Sequence, residues 1–153
     1  MKEHTMNQEV VILIADDDQG HAELIRRNLV RAGIANPLIH FKDGQEVVDF
    51  LTRQGSEPHR KPDTAYVLLL DIRMPKLDGV EVLSIIKQDP ELKKIPVIMI
   101  TTTDDPREVE RCHLLGCSNY ITKPVEYEGF VNAIRQLGLF LSVVAVPKIS
   151  GET

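Results

Sequence analysis

Residues 10–18 read VVILIADDD. Six consecutive apolar residues, most of them β-branched, fit a strand covered on both faces, because a half-exposed strand would alternate apolar and polar side chains. The run then stops on three aspartates. Outward from this stretch the same grammar recurs: AYVLLL at 65–70 is followed by Asp71, PVIMI at 96–100 by Thr101, Thr102 and Thr103, and the shorter SNYI at 118–121 by Thr122 and Lys123. A further short strand, PLIHF, lies at 37–41. Between the strands the period changes to that of helices. Residues 19–33 carry Ala22, Leu24, Ile25, Leu29 and Ala32 on one face and stop at Gly33; 45–54 place Val47, Val48 and Leu51 inward. Helices are also predicted over 80–88, 106–115 (stopping at Gly116) and 126–137, and GSEPHRKPDT at 55–64 reads as an exposed loop. Five β–α units with strands this apolar predict an α/β fold: a five-stranded parallel sheet with helices on both faces. In such folds the functional groups gather beyond the carboxyl ends of the strands.

Length and composition bound the rest. At 153 residues, 42% apolar and 27% charged, the chain is expected to form one domain over 10–138, with a flexible start at 1–9 and an apolar extension at 139–153. The net charge of −5, the absence of Trp and an aromatic content of 5% argue against binding nucleic acid by bulk charge or base stacking. No run reaches 18 apolar residues, so no membrane partner or spanning helix is expected. The first residues show no signal-peptide core, and Cys112 and Cys117 are spaced neither as a helix-face pair nor as a disulfide framework. Both features predict a cytoplasmic location.

The residues at the strand ends each have a bland reading. Asp18 suits a helix N-cap, Asp78-Gly79 a turn opening a helix, threonine a β-former leaving the sheet, and Lys123 before Pro124 a solvated side chain. Together they are harder to dismiss, because a cap does not require Asp16 and Asp17 as well. Clustered carboxylates repel one another and need a countercharge. Lys123 and an oxygen-seeking divalent cation would supply it, and carboxylate ligands favour Mg²⁺ over zinc.

Four motifs, ILIADDD (12–18), LLLDIRMPKLDG (68–79), IPVIMITT (95–102) and NYITKP (119–124), resemble in order and placement the receiver domain of two-component response regulators. The resemblance runs over about residues 10–137, and it is the combination of motifs that makes it specific. It implies a flavodoxin-like (βα)5 fold with strand order 2-1-3-4-5. It implies that Asp71 is the phosphoacceptor, taking a phosphoryl group from a phosphohistidine on a sensor histidine kinase. Asp17, Asp71 and the Arg73 backbone carbonyl would bind Mg²⁺, with Asp16 acting mainly through a metal-bound water. Lys123 and Thr101 would contact the phosphoryl oxygens, and Thr101 with Tyr120 would form the switch; an ordinary half-buried strand tyrosine stays open as the other reading of Tyr120. Arg73 and Thr103 occupy positions that tune phosphoryl lifetime, and the Lys123–Pro124 bond would be cis. The kinase would contact the first helix from near Gln19 and the loop after Lys123. Such a protein is not an enzyme on other substrates: it catalyses only its own phosphorylation and dephosphorylation, and it signals by switching and by contact with an unidentified downstream protein. More narrowly, the loop at 55–64 and the apolar tail are similar to single-domain receivers paired with bacterial phytochrome kinases.

Two rivals remain. Asp16-x-Asp18 after an apolar strand, with Thr101 and Lys123 in order, also resembles haloacid-dehalogenase-type phosphatases. That chemistry needs a further acidic pair on a later strand, whereas Glu126 and Glu128 fall on the last helix, and Asp71 stays unexplained. The other rival is an interaction module that has lost the chemistry. A nucleotide-binding fold is excluded, since no G-x-x-x-x-G-K or G-x-G-x-x-G follows the first strand. Finally, LGLFLSVVAV at 137–146 is apolar around its circumference rather than along a stripe. Folding back onto the sheet is one outcome; a homodimer anchored by Phe140, Leu141, Val143 and Val144 is the outcome expected here.

Overall fold

The computed structural model describes residues 10–123, 127–143 and 146–150, with side chains at all of these except 127, 130 and 140–143. The chain forms β1 (Val11–Ala15), α1 (Gln19–Arg31), β2 (Leu38–Phe41), α2 (Gly44–Thr52), β3 (Thr64–Leu70), α3 (Gly79–Lys87), a single 3₁₀ turn (Leu92–Lys94), β4 (Val97–Thr101), α4 (Pro106–Leu115), β5 (Asn119–Thr122), α5 (Tyr127–Val143) and β6 (Lys148–Ile149). Strands β2-β1-β3-β4-β5 lie in that order and all pair in parallel.

Alternate side chains of the fully apolar strands feed two cores. On one face Tyr66, Leu68 and Leu70 of β3 pack with Val47 and Leu51 of α2, Leu83 and Ile86 of α3 and Cys112 of α4. On the other, Val67 and Leu69 meet Ala22, Ile25 and Leu29 of α1 and Ile134 and Leu137 of α5. This two-sided burial is why the strands show no polar alternation. α1 and α5 come close where Gly138 lies against Ala32: a Cβ at 138 would sit 2.8 Å from the alanine Cβ.

The helix starts share one device. Asp18, Asp43, Asp78 and Asp105 are the N-caps of α1, α2, α3 and α4, each accepting a backbone N–H of the first turn. Asp78 and Glu81 complete a reciprocal capping box. The cap reading of Asp18 and the turn reading of Asp78-Gly79 are therefore both correct. α2 ends two residues before the expected Gln54 because Arg53 turns into the left-handed region, at φ 60°.

The C-terminal segment departs from the sequence expectation. α5 continues to Val143, so the boundary expected at 138/139 falls inside a helix. Beyond it, β6 returns to the amino end of β3 and pairs antiparallel with Thr64 and Ala65. Ile149 is buried in the chain's own core, 1% exposed. The Asp63 N–H donates to the Ile149 carbonyl and the Ser150 N–H to Glu91 Oε1. The buried Arg60 ties the tail to α2, its Nε donating to the Leu51 carbonyl (2.9 Å) and its Nη1 to that of Ser150 (2.7 Å). For residues 146–150 the fold-back thus occurs, because an apolar side chain and the open backbone ahead of β3 satisfy each other within one chain. The Phe140, Leu141 and Val143 side chains, Val144, and the Lys123–Pro124 bond lie outside the described residues.

Ile149→Ala should cost about 2–5 kcal/mol of unfolding free energy, as for other buried large-to-small changes. Urea titration reads this directly. A midpoint equal to that of the parent would show that the tail does not seal the core.

Candidate functional site

Register assembles the site. Ala15 pairs with Leu70 and Thr101 with Thr122, so the next residues, Asp16 beside Asp71 and Lys123 beside the end of β4, emerge side by side. Asp71 N–H donates to the Ala15 carbonyl (3.0 Å) and the Lys123 N–H to that of Thr101, extending the ladders by one residue. Gly79 lies tight against this edge. A Cβ there would be 2.1 Å from the Asp71 carbonyl oxygen, so only glycine lets α3 start so close to the loop that carries Asp71.

Every oxygen of the two buried carboxylates is engaged. Asp71 Oδ1 accepts the Ile72 N–H (2.7 Å) and Oδ2 accepts from Lys123 Nζ (3.1 Å). Asp16 Oδ1 accepts the Asp18 N–H (2.9 Å) and Oδ2 accepts from Lys123 Nζ (2.9 Å). Asp17 is exposed at the rim, and one oxygen of each of the three carboxylates lies within 4.8 Å of the others. Burial on its own would depress the Lys123 pKa, but the charges of Asp16 and Asp71 outweigh it and raise the ammonium above the ordinary lysine value. Burial raises the Asp16 carboxyl despite the Asp18 N–H and Lys123, and the neighbouring Asp71 charge adds to the rise. Three carboxylates facing one ammonium remain short of positive charge. Hard oxygen donors this close together fit a divalent cation of the Mg²⁺ or Mn²⁺ kind.

The remaining sequence-predicted residues surround this centre. Thr101 is wholly buried at the end of β4, and its Oγ1 lies 3.4 Å from the Thr103 N–H. Arg73 Nε donates to Thr103 Oγ1 (3.3 Å), so the two expected lifetime residues join across the mouth. The Tyr120 hydroxyl donates to the Thr103 carbonyl (2.7 Å), and burial with nearby acidic groups pushes the phenol up to about 12. Tyr120 is therefore half-buried and also tied to the loop that follows Thr101. Asp17, Ile72, Arg73, Met74, Asp78, Thr103 and Glu108 line an open cleft.

Three groups were missed from sequence. His21, in the first turn of α1, places Nδ1 2.9 Å from Lys123 Nζ, and His40 Nε2 donates to the Asp16 carbonyl (2.8 Å). Glu108 has a buried Oε1 with no hydrogen-bond partner among the described residues. None belongs to a spaced motif; each is placed only by the packing of its element. The phosphatase rival loses its footing here. Asp18 is spent on capping α1, and Glu128 lies exposed on α5 rather than on a strand. Among the described residues no helix is long and apolar enough to cross a membrane.

Comparison with known proteins agrees with this geometry. Residues 12–135 match the response regulator receiver domain. Response regulator Rcp1 of Synechocystis is 34% identical over 92% of this chain and 95% of its own length. A crystal structure of its Mn²⁺-bound form superposes with a TM-score of 0.81, covering 90% of this chain and 98% of that one at 33% identity. A receiver domain from Rhodospirillum rubrum superposes at 0.85, with 45% identity over 92% of this chain and 99% of its own. The phosphorylated cyanobacterial phytochrome response regulator RcpA superposes at 0.80, with 29% identity over 90% and 97%. With its sheet order, its acidic strand ends and these likenesses in accord, the chain belongs to the response regulator receiver domain family, and it is a phosphoacceptor of two-component signalling.

Proposed function

We propose that Asp71 is the accepting residue and that the donor is a phosphohistidine on a sensor histidine kinase. One observation carries this reading: the Asp71 carboxylate stands at a strand end between the Ile72 N–H and the Lys123 ammonium, with Asp16 and Asp17 within the span of one cation. An Asp71 oxygen attacks phosphorus, the P–N bond breaks, and its electron pair stays on the departing imidazole of the kinase. An acyl phosphate results. Asp17, Asp71 and the Arg73 backbone carbonyl, with Asp16 through a water, would hold Mg²⁺, which supplies positive charge for the phosphoryl oxygens. Lys123 neutralises one of those oxygens, and the Thr101 hydroxyl donates to another. Placing charge and donors in advance is most of what phosphoryl transfer needs from a protein. The protein turns over only its own acyl phosphate.

The switch follows from the same contacts. As Thr101 moves toward the phosphoryl group it draws on the loop that holds Thr103, and Tyr120 is bonded to that loop. A local change of charge thus biases a packed element that a downstream protein can read. Likeness to the phytochrome response regulator RcpA supports a bacterial phytochrome as the kinase, meeting the start of α1 and the loop after Lys123. Free, buried Cys112 and Cys117 accord with the cytoplasm. The apolar residues at 139–145 favour a homodimer, with Phe140, Leu141, Val143 and Val144 as anchors; Leu139 beside them is 59% exposed.

Three outcomes are expected. Asp71→Asn abolishes labelling by phosphoramidate and Mg²⁺ while the metal-free melting temperature stays level or rises, since a near-isosteric change removes one charge from a repelling cluster; residual stoichiometric labelling would place the acceptor elsewhere. Arg73→Ala shortens the acyl-phosphate lifetime by opening the Arg73–Thr103 bridge, and an unchanged decay rate would remove Arg73 from that role. In sedimentation equilibrium the full chain is a dimer at tens of micromolar and Phe140→Asp is a monomer. Equal dimerisation of both would exclude the tail as the contact.

A further inference from the structure

The Lys123 ammonium has three protons, and among the described residues three acceptors surround it: Asp16 Oδ2 at 2.9 Å, His21 Nδ1 at 2.9 Å and Asp71 Oδ2 at 3.1 Å. The histidine is unexpected, because an imidazole adds no negative charge to balance the ammonium. Its protonation state follows from geometry. A proton on Nδ1 would point at an ammonium 2.9 Å away, so Nδ1 carries the lone pair and the ring N–H is on Nε2. Among the described residues the charged groups facing the ring are Lys123 from the end of β5 and Asp18 from the β1–α1 loop, whose Oδ2 lies 3.6 Å from Nδ1. With Nδ1 unprotonated that approach is no ion pair. Asp18 acts on His21 through the backbone, where its Oδ1 accepts the His21 N–H (3.0 Å) and fixes the helical turn that presents the ring.

We infer that His21 is a positioning residue for phosphoryl transfer: its neutral Nδ1, together with Asp16 Oδ2, holds the Lys123 ammonium in place while Asp71 exchanges its share of that ammonium for the incoming phosphoryl oxygen. The inference rests on the reading of Asp71 as acceptor. Before transfer the third ammonium proton is aimed at Asp71 Oδ2. Once Asp71 has bonded to phosphorus its carboxylate charge is gone, and that proton is free for a phosphoryl oxygen. Two acceptors that take no part in bond making keep the nitrogen still, so one hydrogen bond is exchanged and the side chain is not relocated. A lysine on a flexible four-carbon stem gains from such restraint, since misplaced charge stabilises the transition state poorly.

Two substitutions and one spectrum test this. His21→Leu removes the acceptor, and His21→Asn keeps an oxygen near the place of Nδ1. With phosphoramidate and Mg²⁺ as donor, which bypasses kinase docking, His21→Leu should label about tenfold more slowly, and His21→Asn should return to within about threefold of the parent. Far-UV circular dichroism checks that both variants keep the fold. In metal-free, histidine-labelled protein, long-range ¹H–¹⁵N correlation should show His21 as the Nε2–H tautomer, and Lys123→Ala should shift its Nδ1 resonance. Parental labelling by His21→Leu, failure of asparagine to rescue, or an Nδ1–H tautomer would each overturn the inference. A parent that takes no label at all defeats the acceptor reading instead, and the spectrum then still decides whether His21 holds Lys123.

Discussion

The Lys123 ammonium sits between the Asp16 and Asp71 carboxylates, all three buried. Two buried carboxylates at adjacent strand ends would otherwise repel each other in a medium that screens poorly. The ammonium offsets part of that repulsion, and each carboxylate is completed by a backbone N–H from its own loop. Each partner comes from a different strand, so the arrangement exists only while β1, β3, β4 and β5 keep their register. A slip of one residue in any pair would turn a charge into the apolar layer. Sheet register and site electrostatics are in this sense one constraint.

The two ends of the sheet are built differently. At the carboxyl end like charges are held together and left short of positive charge, which readies the site for a cation and a phosphoryl group. At the amino end Ile149 and the Arg60 guanidinium close the core with apolar contact and backbone hydrogen bonds. The ends are roughly 20 Å apart along the seven residues of β3. The end without exposed chemistry can carry stability that the acidic end cannot.

Aspartate does two jobs in this chain, distinguished by where each residue falls relative to its helix. Asp18, Asp43, Asp78 and Asp105 satisfy helix N-termini, whereas Asp16 and Asp71 lie one residue past a strand and point to Lys123. Thr103 likewise joins two functions. Its hydroxyl receives Arg73 at the mouth and its carbonyl receives Tyr120, so a residue that would guard the acyl phosphate is bonded to one that would report it.

Apolar patterning alone specifies the sheet and gathers most of the candidate site residues at one edge. Apolar runs ending in Asp16, Asp71 and Thr101 specify buried parallel strands, the shorter Asn119–Thr122 strand leads to Lys123 at the sheet edge, and in parallel strands whatever follows each must converge on one edge. That inference needs only the two-residue period of a strand and the direction of the chain. Packing sets whatever depends on distance between elements. His21 and His40 have no motif, and they reach Lys123 and the Asp16 carbonyl only because α1 and β2 pack beside the strand end. The Arg73–Thr103 bond and the Tyr120 tether depend on how two loops face each other. The return of Ile149 to β3 was illegible for the same reason. Its apolar side chain is compatible with a neighbour's surface or its own core, and only the open backbone ahead of β3, with Arg60 ready to bind the Ser150 carbonyl, selects between them.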